Sequence, residues 1–202
     1  MEILTESIKD LLQDNHLKKI GYQDLLSIES LTIDGKDENK KKQKVVFSEI
    51  KNIKNLKYLE LRNVLVTDSL IKILENMDYL TNIIFKKCTF RKSISSLNNL
   101  KPLKQIRIEN CKNFDYSYIN KLNVESITIS SNTIDNFTFI DDSVKVLDIS
   151  RAVVKKLKKL KSTKIDKLVI SHNDFKKYKK ELKNIKFELI VMAENGFYIE
   201  NI

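Results

Sequence analysis

The chain has 202 residues, of which 42% are hydrophobic and 32% are charged, and it carries a formal net charge of +10. This length and composition suit one globular or repeat domain with a continuous core. The sequence has no run of the roughly 20 apolar residues that a membrane-spanning helix needs. Its first residues, MEILTESIKDLLQDNH, are acidic and polar, whereas a secretory signal is basic and then apolar. We therefore expect a cytoplasmic protein without a membrane span.

Residues 1–26 are predicted to form a helical cap at the amino end of the chain. Leu4, Ile8, Leu11 and Leu12 recur at helical spacing and fall on one face of such a helix. A cap of this kind covers the apolar edge that the first unit of a stacked array otherwise exposes. A separate binding helix is the alternative interpretation of the same pattern.

From residue 28 onward the chain repeats a short phrase: an apolar residue, two variable residues, an apolar residue, one variable residue and an apolar residue. The apolar residues at positions four and six of the phrase predict a short strand with one buried face. An imperfect first copy contains Ile28, Leu31 and Ile33. The seven complete copies are Leu56, Leu59, Leu61; Leu80, Ile83, Phe85; Leu103, Ile106, Ile108; Val124, Ile127, Ile129; Val144, Leu147, Ile149; Ile165, Leu168, Ile170; and Phe187, Ile190, Met192.

The phrase continues regularly beyond its sixth position, and the copies begin 20 to 28 residues apart. Position nine is Cys88, Cys111, Asn132, Asn173 or Asn195 in five copies, whereas Val64 and Ala152 depart from this pattern in the other two. Position eleven is Val66, Phe90, Ile134, Val154 or Phe175. In this pattern and spacing the chain resembles the leucine-rich-repeat family over about residues 27–202. The resemblance implies an α/β fold, a right-handed solenoid of about eight repeats with a parallel β-sheet on its concave face. The cap and the repeats then form a single structural unit.

The first repeat is interrupted by the polar segment GKDENKKKQK, residues 35–44. This segment has no apolar anchor, so it is predicted to be a mobile loop. A flexible arm that touches an acidic partner is the alternative.

The return segment at residues 67–77 predicts a helix. Leu70 and Leu74 lie at helical spacing after a capping Thr67 or Asp68. Later return segments are too short for more than about one turn of helix.

Both cysteines, Cys88 and Cys111, occupy position nine of adjacent repeats. Stacked repeats bring them close together in the core. A cytosolic location disfavours a disulfide, and no further Cys or His completes a metal site. We therefore predict two buried free thiols in place of the family's asparagine, and neither a metal nor a cofactor.

The variable positions of the phrase are predicted to form the concave face of the sheet. Its amino-terminal half mixes positive charge with hydrogen-bonding groups, and its carboxyl-terminal half is apolar with acids around it. The predicted partner-binding residues are Tyr58, Glu60, Arg62, Lys86, Lys87, Arg107, Glu109, Val146, Asp148, Val169, Leu189 and Val191. Two alternatives to a contact site are that the tail from Phe197 to Ile202 folds over the apolar group, or that its β-branched residues only favour the strand conformation. The exposed final edge of the sheet invites self-association or an extra strand from Tyr198 to Ile202.

The positive charge is concentrated between Arg151 and Lys186, which contain 14 Lys or Arg and 3 Asp or Glu. A solvated face is one interpretation of this lysine-rich flank, and anion binding is the other. The candidate anion-binding residues are Lys155, Lys156, Lys158, Lys159, Lys161, Lys176, Lys177, Lys179 and Lys180. Only Tyr178 is interleaved with them as a stacking group, which supports nucleic-acid reading weakly.

The sequence has no glycine-rich phosphate loop and no serine elbow, so we expect no enzyme activity. The resemblance to leucine-rich-repeat proteins implies a protein-interaction module that acts as an adaptor or a stoichiometric inhibitor. A nucleic-acid-associated module that uses the flank at residues 151–186 is the alternative. A third possibility combines the two hypotheses: an intracellular antagonist that binds a nucleic-acid-processing enzyme.

Overall fold

A computed structural model of the chain describes residues 25–36, 47–91, 97–119, 122–157, 160, 164–183, 188–193 and 196–200. Nearly all of the predicted cap and most of the predicted polar loop therefore lie outside the described residues. The same holds for Lys158, Lys159 and Lys161 of the lysine-rich flank.

The described residues form a main sheet of nine strands and a small ladder of two. The strands are β1 Ser30–Asp34, β2 Tyr58–Arg62, β3 Leu65–Val66, β4 Asn82–Lys86, β5 Thr89–Phe90, β6 Gln105–Glu109, β7 Ser126–Ile134, β8 Val146–Val154, β9 Lys167–Ser171, β10 Glu188–Ala193 and β11 Gly196–Glu200. The main sheet runs in the order β1, β2, β4, β6, β7, β8, β9, β10, β11, and its first eight strands pair in parallel. The predicted parallel sheet is confirmed.

One face of this sheet is buried along its length. Residues at positions four and six of the phrase, such as Leu59 and Leu61 in β2 and Leu168 and Ile170 in β9, have no exposed surface. They stack in register from strand to strand, because each repeat places the same positions opposite those of the next. Burying these aliphatic side chains supplies the main stabilisation of the solenoid.

The helix predicted at residues 67–77 is confirmed as α1, Asp68–Leu74. The Thr67 hydroxyl caps it by accepting a hydrogen bond from the Leu70 N–H at 3.4 Å. Its buried residues Leu70, Ile71 and Leu74 close the core side of the repeat. Two short 3₁₀ helices, Phe47–Asn52 and Tyr116–Ile119, lie in other return segments.

In the repeats of β2, β4, β6 and β7, the residue at position eight has a left-handed backbone; it directly follows the first three strands and lies within β7. The φ angles are 54° at Asn63, 52° at Lys87, 50° at Asn110 and 54° at Ser131. The chain then reaches positions ten and eleven, where β3 pairs in parallel with β5 and the ends of β7 and β8 pair in parallel with each other. In β8 the strand runs through without such a residue, so this repeat lacks the turn.

Position nine fills the inside of the turn as predicted. The Cys88 and Cys111 thiols are free and buried, and they donate to the carbonyls of Leu61 and Phe85 at 3.1 and 3.2 Å. The Asn132 amide accepts from the Cys111 N–H and donates to its carbonyl. A hydrogen bond with Cys111 and burial raise the pKa of Cys88, so this thiol stays protonated at neutral pH.

A second helix, α2 at His172–Leu182, follows β9 and is longer than the sequence predicted. Its buried residues Phe175, Tyr178 and Leu182 recur at helical spacing, and the Ser171 hydroxyl caps it by accepting from the Asp174 N–H at 3.1 Å. Asn173 lies exposed on this helix, so its predicted place inside a turn is wrong. None of the described helices is both long enough and apolar enough to cross a membrane.

The register predicted for β10 is wrong by one residue. Leu189 and Val191 pair with Leu168 and Ile170 and are fully buried, so they cannot belong to an exposed face. The segment ELIVMA is apolar at consecutive positions, and such a segment does not specify which alternate set faces inward.

The sheet ends in a hairpin. Strand β11 pairs antiparallel with β10, which confirms that the tail adds a strand, although that strand begins at Gly196. The tail therefore extends the sheet at its edge instead of folding over it. The Tyr198 hydroxyl and His172 Nδ1 are 2.9 Å apart, and this contact joins the hairpin to the start of α2.

Candidate partner-binding surface

The face of the main sheet opposite the core is free of packed helices among the described residues; we call it the open face. It is built from positions three, five and seven of each phrase, because alternate residues of a strand point to opposite sides. Of the predicted partner-binding residues, the structure places on it Tyr58, Glu60, Arg62, Lys86, Arg107, Glu109, Val146, Asp148 and Val169. Lys87 lies in the turn that follows β4.

The charges in the first half of the open face pair with one another. Glu60 is only 9% exposed, and its Oε1 accepts from Arg62 Nε at 2.7 Å. Glu109 bridges two cations, with Lys86 Nζ at 2.9 Å and Arg107 Nη2 at 3.0 Å. Two carboxylates therefore neutralise much of the positive charge that the sequence assigned to this half.

These contacts and burial shift the pKa values of Glu109 and Tyr58 on the open face. Burial raises the pKa of the Glu109 carboxyl, but the hydrogen bonds and charges of Lys86 and Arg107 outweigh it, and the pKa is lowered overall. Burial, followed by the charge of Glu60, raises the pKa of the Tyr58 hydroxyl. At neutral pH the face thus presents an ionised Glu109 and a neutral phenol.

The last three strands present an apolar group that we call the apolar shelf: Val169, Ile190, Met192, Phe197 and Ile199. Ile190 pairs with Val169 on one side and with Ile199 on the other, and Met192 pairs with Phe197. Directly paired residues share a face of the sheet. Phe197 is 70% exposed and Ile199 is 57% exposed, so the shelf is open to solvent.

The shelf takes the place of Leu189 and Val191, which were predicted from the sequence to lie on the exposed face. Because Leu189 and Val191 turn inward, their neighbours Ile190 and Met192 turn outward. In the observed register Leu189 occupies position four of the phrase, so Lys186 occupies position one. Because Lys186 is not apolar, this copy of the phrase does not match the pattern of the others. The constant spacing of 21 residues from Leu147 to Leu168 and from Leu168 to Leu189 was the available signal.

A pocket of about 250 Å³ lies beside the shelf, near the centre of the open face. Hydroxyl groups and charged side chains form most of its lining, and Met192 belongs to both the pocket and the shelf. The lining residues are Arg107, Thr128, Ile129, Ser130, Asp148, Ser150, Arg151 and Met192. Arg107 and Asp148 were among the partner-binding residues predicted from the sequence; the other lining residues were not, because only the sheet brings β6, β7, β8 and β10 together.

The described lysines of the flank lie away from the open face, and several make local contacts. Lys155 pairs with Asp135 at 2.8 Å, and Lys177 Nζ donates to the Val154 carbonyl at 3.2 Å. Lys179 lies over the Phe175 ring, 5.2 Å from its centroid. Lys156, Lys176 and Lys180 are also exposed.

The strand order makes the described part of the chain a mostly parallel β-sheet with few helices, an arrangement consistent with a solenoid like that of leucine-rich-repeat proteins. No protein-family model and no curated protein matches the sequence. Among solved structures the chain is similar to an internalin from Listeria monocytogenes, with 17% sequence identity and a TM-score of 0.33. That match covers 95% of this chain and 77% of the internalin chain.

Proposed function

We propose that this protein is a non-catalytic interaction module that binds a protein partner through the open face, as an adaptor or a stoichiometric inhibitor. The observation that supports the proposal most is the apolar shelf beside a polar pocket. Soluble chains rarely expose contiguous apolar groups without a use, and a solvent-exposed apolar patch rimmed by polar groups is typical of a contact site.

The test is affinity capture from extracts of the producing cell with the tagged protein as bait, followed by mass spectrometry. The shelf variant Ile190→Gln with Ile199→Gln removes the apolar contact without adding charge. We expect proteins that the natural bait retains to be lost from the shelf variant, while circular dichroism shows the same fold. Equal retention by both baits contradicts the proposal.

The matched control changes the opposite side of the molecule. Lys176→Gln with Lys180→Gln alters two exposed side chains of α2 and leaves the open face intact. If the open face binds the partner, this control retains what the natural bait retains.

The same control addresses the second candidate function, binding of nucleic acid by the lysine-rich flank. The observation in its favour is that Lys176 and Lys180 are exposed on one helix. Binding of this kind falls steeply with salt, because phosphate contacts release counterions. Affinity for a single-stranded oligonucleotide that is lost in the lysine variant and kept in the shelf variant supports it. Salt-independent binding, or none at low salt, excludes it.

A further inference from the structure

The pocket on the open face holds polar groups that find no partner among the described residues. Ser130 is 4% exposed and its hydroxyl makes no hydrogen bond, and the Nε of Arg107 is likewise buried without a partner. Leaving a buried polar group unsatisfied destabilises the folded protein, because the group has lost its hydrogen bonds to water. Since folded proteins satisfy nearly all such groups, two of them in one pocket indicate a ligand that completes their hydrogen bonds.

The free groups around this pocket are mainly donors. Arg107 commits its Nη2 to Glu109 and retains Nε, and Arg151 lies exposed at the pocket. Asp148 already accepts from the Ser150 N–H at 3.0 Å and from its hydroxyl at 2.7 Å. A ligand that supplies acceptors fits this set.

The charges around the pocket determine which kind of acceptor group, a carboxylate or a phosphate, fits it better. Two guanidinium groups attract an anion, but the carboxylates of Glu109 and Asp148 lie beside them and reduce the positive potential. A singly charged carboxylate therefore fits better than a doubly charged phosphate. Charge-assisted hydrogen bonds from Arg to a carboxylate are also among the stronger polar contacts in proteins.

The apolar shelf extends the pocket toward the edge of the sheet. Because Met192 belongs to both, a chain that enters the pocket passes directly onto Ile190 and Ile199. The unpartnered Ser130 is on β7 and Ile190 is on β10, three strand spacings apart, which is about 14 Å at the usual strand spacing. An extended chain covers this distance in about four residues.

From these observations we infer that the pocket takes an aspartate or glutamate side chain of the partner protein, with an apolar side chain about four residues away on the shelf. The inference rests on the proposed function and specifies what the open face recognises. Arg107 Nε and the Ser130 hydroxyl donate to the carboxylate. Arg151 adds positive charge at the rim of the pocket.

The experiment uses a display library of random twelve-residue peptides, selected on the full chain. We expect selected peptides to share an acidic residue with an apolar residue three to five positions away. Changing that acidic residue to its amide should weaken binding about tenfold or more, since hydrogen bonds to charged groups are the stronger ones. Fluorescence anisotropy measures this loss.

The decisive comparison is the same pair of peptides on the variant Arg107→Gln with Ser130→Ala. If the pocket binds the carboxylate, the acid and amide peptides bind this variant within about twofold of each other. The control Arg62→Gln changes an arginine of the same face that pairs with Glu60, outside the pocket. This control should keep the full discrimination between the two peptides.

Three results overturn the inference: no selected peptides, selected peptides without a shared acidic residue, or equal acid-to-amide losses in the natural chain and the pocket variant. The proposed function is tested separately by capture with the shelf variant. Loss of capture in that variant, combined with any of these three results, refutes the acidic anchor and leaves the interaction module standing.

Discussion

Among single residues, position eight of the repeat has the clearest backbone requirement. Asn63, Lys87, Asn110 and Ser131 all adopt a left-handed backbone there. Asparagine tolerates this conformation, whereas a lysine pays a larger steric cost. The requirement was not evident from the sequence, because position eight shows no consistent residue type.

Lys87→Asn is therefore expected to stabilise the protein by about 0.5 to 1 kcal/mol, since asparagine adopts the left-handed backbone with less strain than lysine. Urea denaturation measures the change in the free energy of unfolding. Arg151→Asn is the matched control, because Arg151 occupies the same position of a later repeat in the extended strand β8. An equal effect of both substitutions contradicts the backbone explanation.

Glu109 gives a pH-dependent prediction. Its pKa is lower in the folded protein than the value of about 4.3 expected for an unfolded glutamate. The ionised carboxylate therefore contributes stability above the unfolded pKa, and this stability is lost as pH falls through the folded pKa. Glu109→Gln should destabilise the protein at pH 7, and the destabilisation should shrink progressively as the pH is lowered below the unfolded pKa.

The measurement is the free energy of unfolding in urea at several pH values for the natural chain and for Glu109→Gln. Glu125→Gln is the control, because Glu125 is exposed on the segment before β7. A difference between the natural chain and Glu109→Gln that is the same at pH 7 and pH 3 argues against the ion pairs with Lys86 and Arg107.

Among the elements, strand β10 shows how an apolar sequence can hide its register. Either alternate set of ELIVMA can face inward, and a shift of one residue exchanges the two faces completely. The parallel partner β9 decides between them, because Leu189 and Val191 continue the buried rows of Leu168 and Ile170.

This register predicts opposite outcomes for two adjacent substitutions. Leu189→Ala removes a fully buried side chain and should cost about 2 to 5 kcal/mol. Ile190→Ala acts on the open face and should cost less than about 1 kcal/mol. Thermal and urea unfolding measure both, and a larger loss for Ile190→Ala contradicts the register.

The two helices differ in how well they could be predicted from the sequence. In α1 the capping Thr67 and the apolar spacing agree, so its position was predictable. In α2 the buried Phe175, Tyr178 and Leu182 have the same kind of spacing, with Ser171 as the cap. The surrounding lysines were interpreted as a charged flank and not as the exposed face of a helix, although long charged side chains are common on such a face.

Across the whole molecule, aromatic side chains connect successive repeats. The Phe90 ring lies 5.2 Å from that of Phe85 and 4.9 Å from that of Phe114, measured between centroids. The series continues from Tyr116 to Phe139 at 4.6 Å. Since repeats contact mainly their neighbours, these ring contacts add to the coupling between adjacent repeats in the middle of the solenoid.

Phe90→Ala should cost about 3 to 5 kcal/mol and accelerate amide hydrogen exchange mainly in β4, β6 and β7. Phe175→Ala is the matched control at the other end, where the ring is buried in α2. It should accelerate exchange mainly in β9 and β10. Uniform acceleration along the sheet in either variant contradicts nearest-neighbour coupling.

What the sequence alone determined was local: the repeated strands, their buried positions, the helix α1 and the inward cysteines. Each follows from periodicity or spacing within one repeat, which the chain carries in its own order. The tertiary structure decided the register of β10, the edge pairing of β11, the pairing of charges around Glu109, and the pocket that joins Arg107 to Met192. The physical reason is that these features depend on residues from different repeats, whose side chains meet only after the strands have stacked.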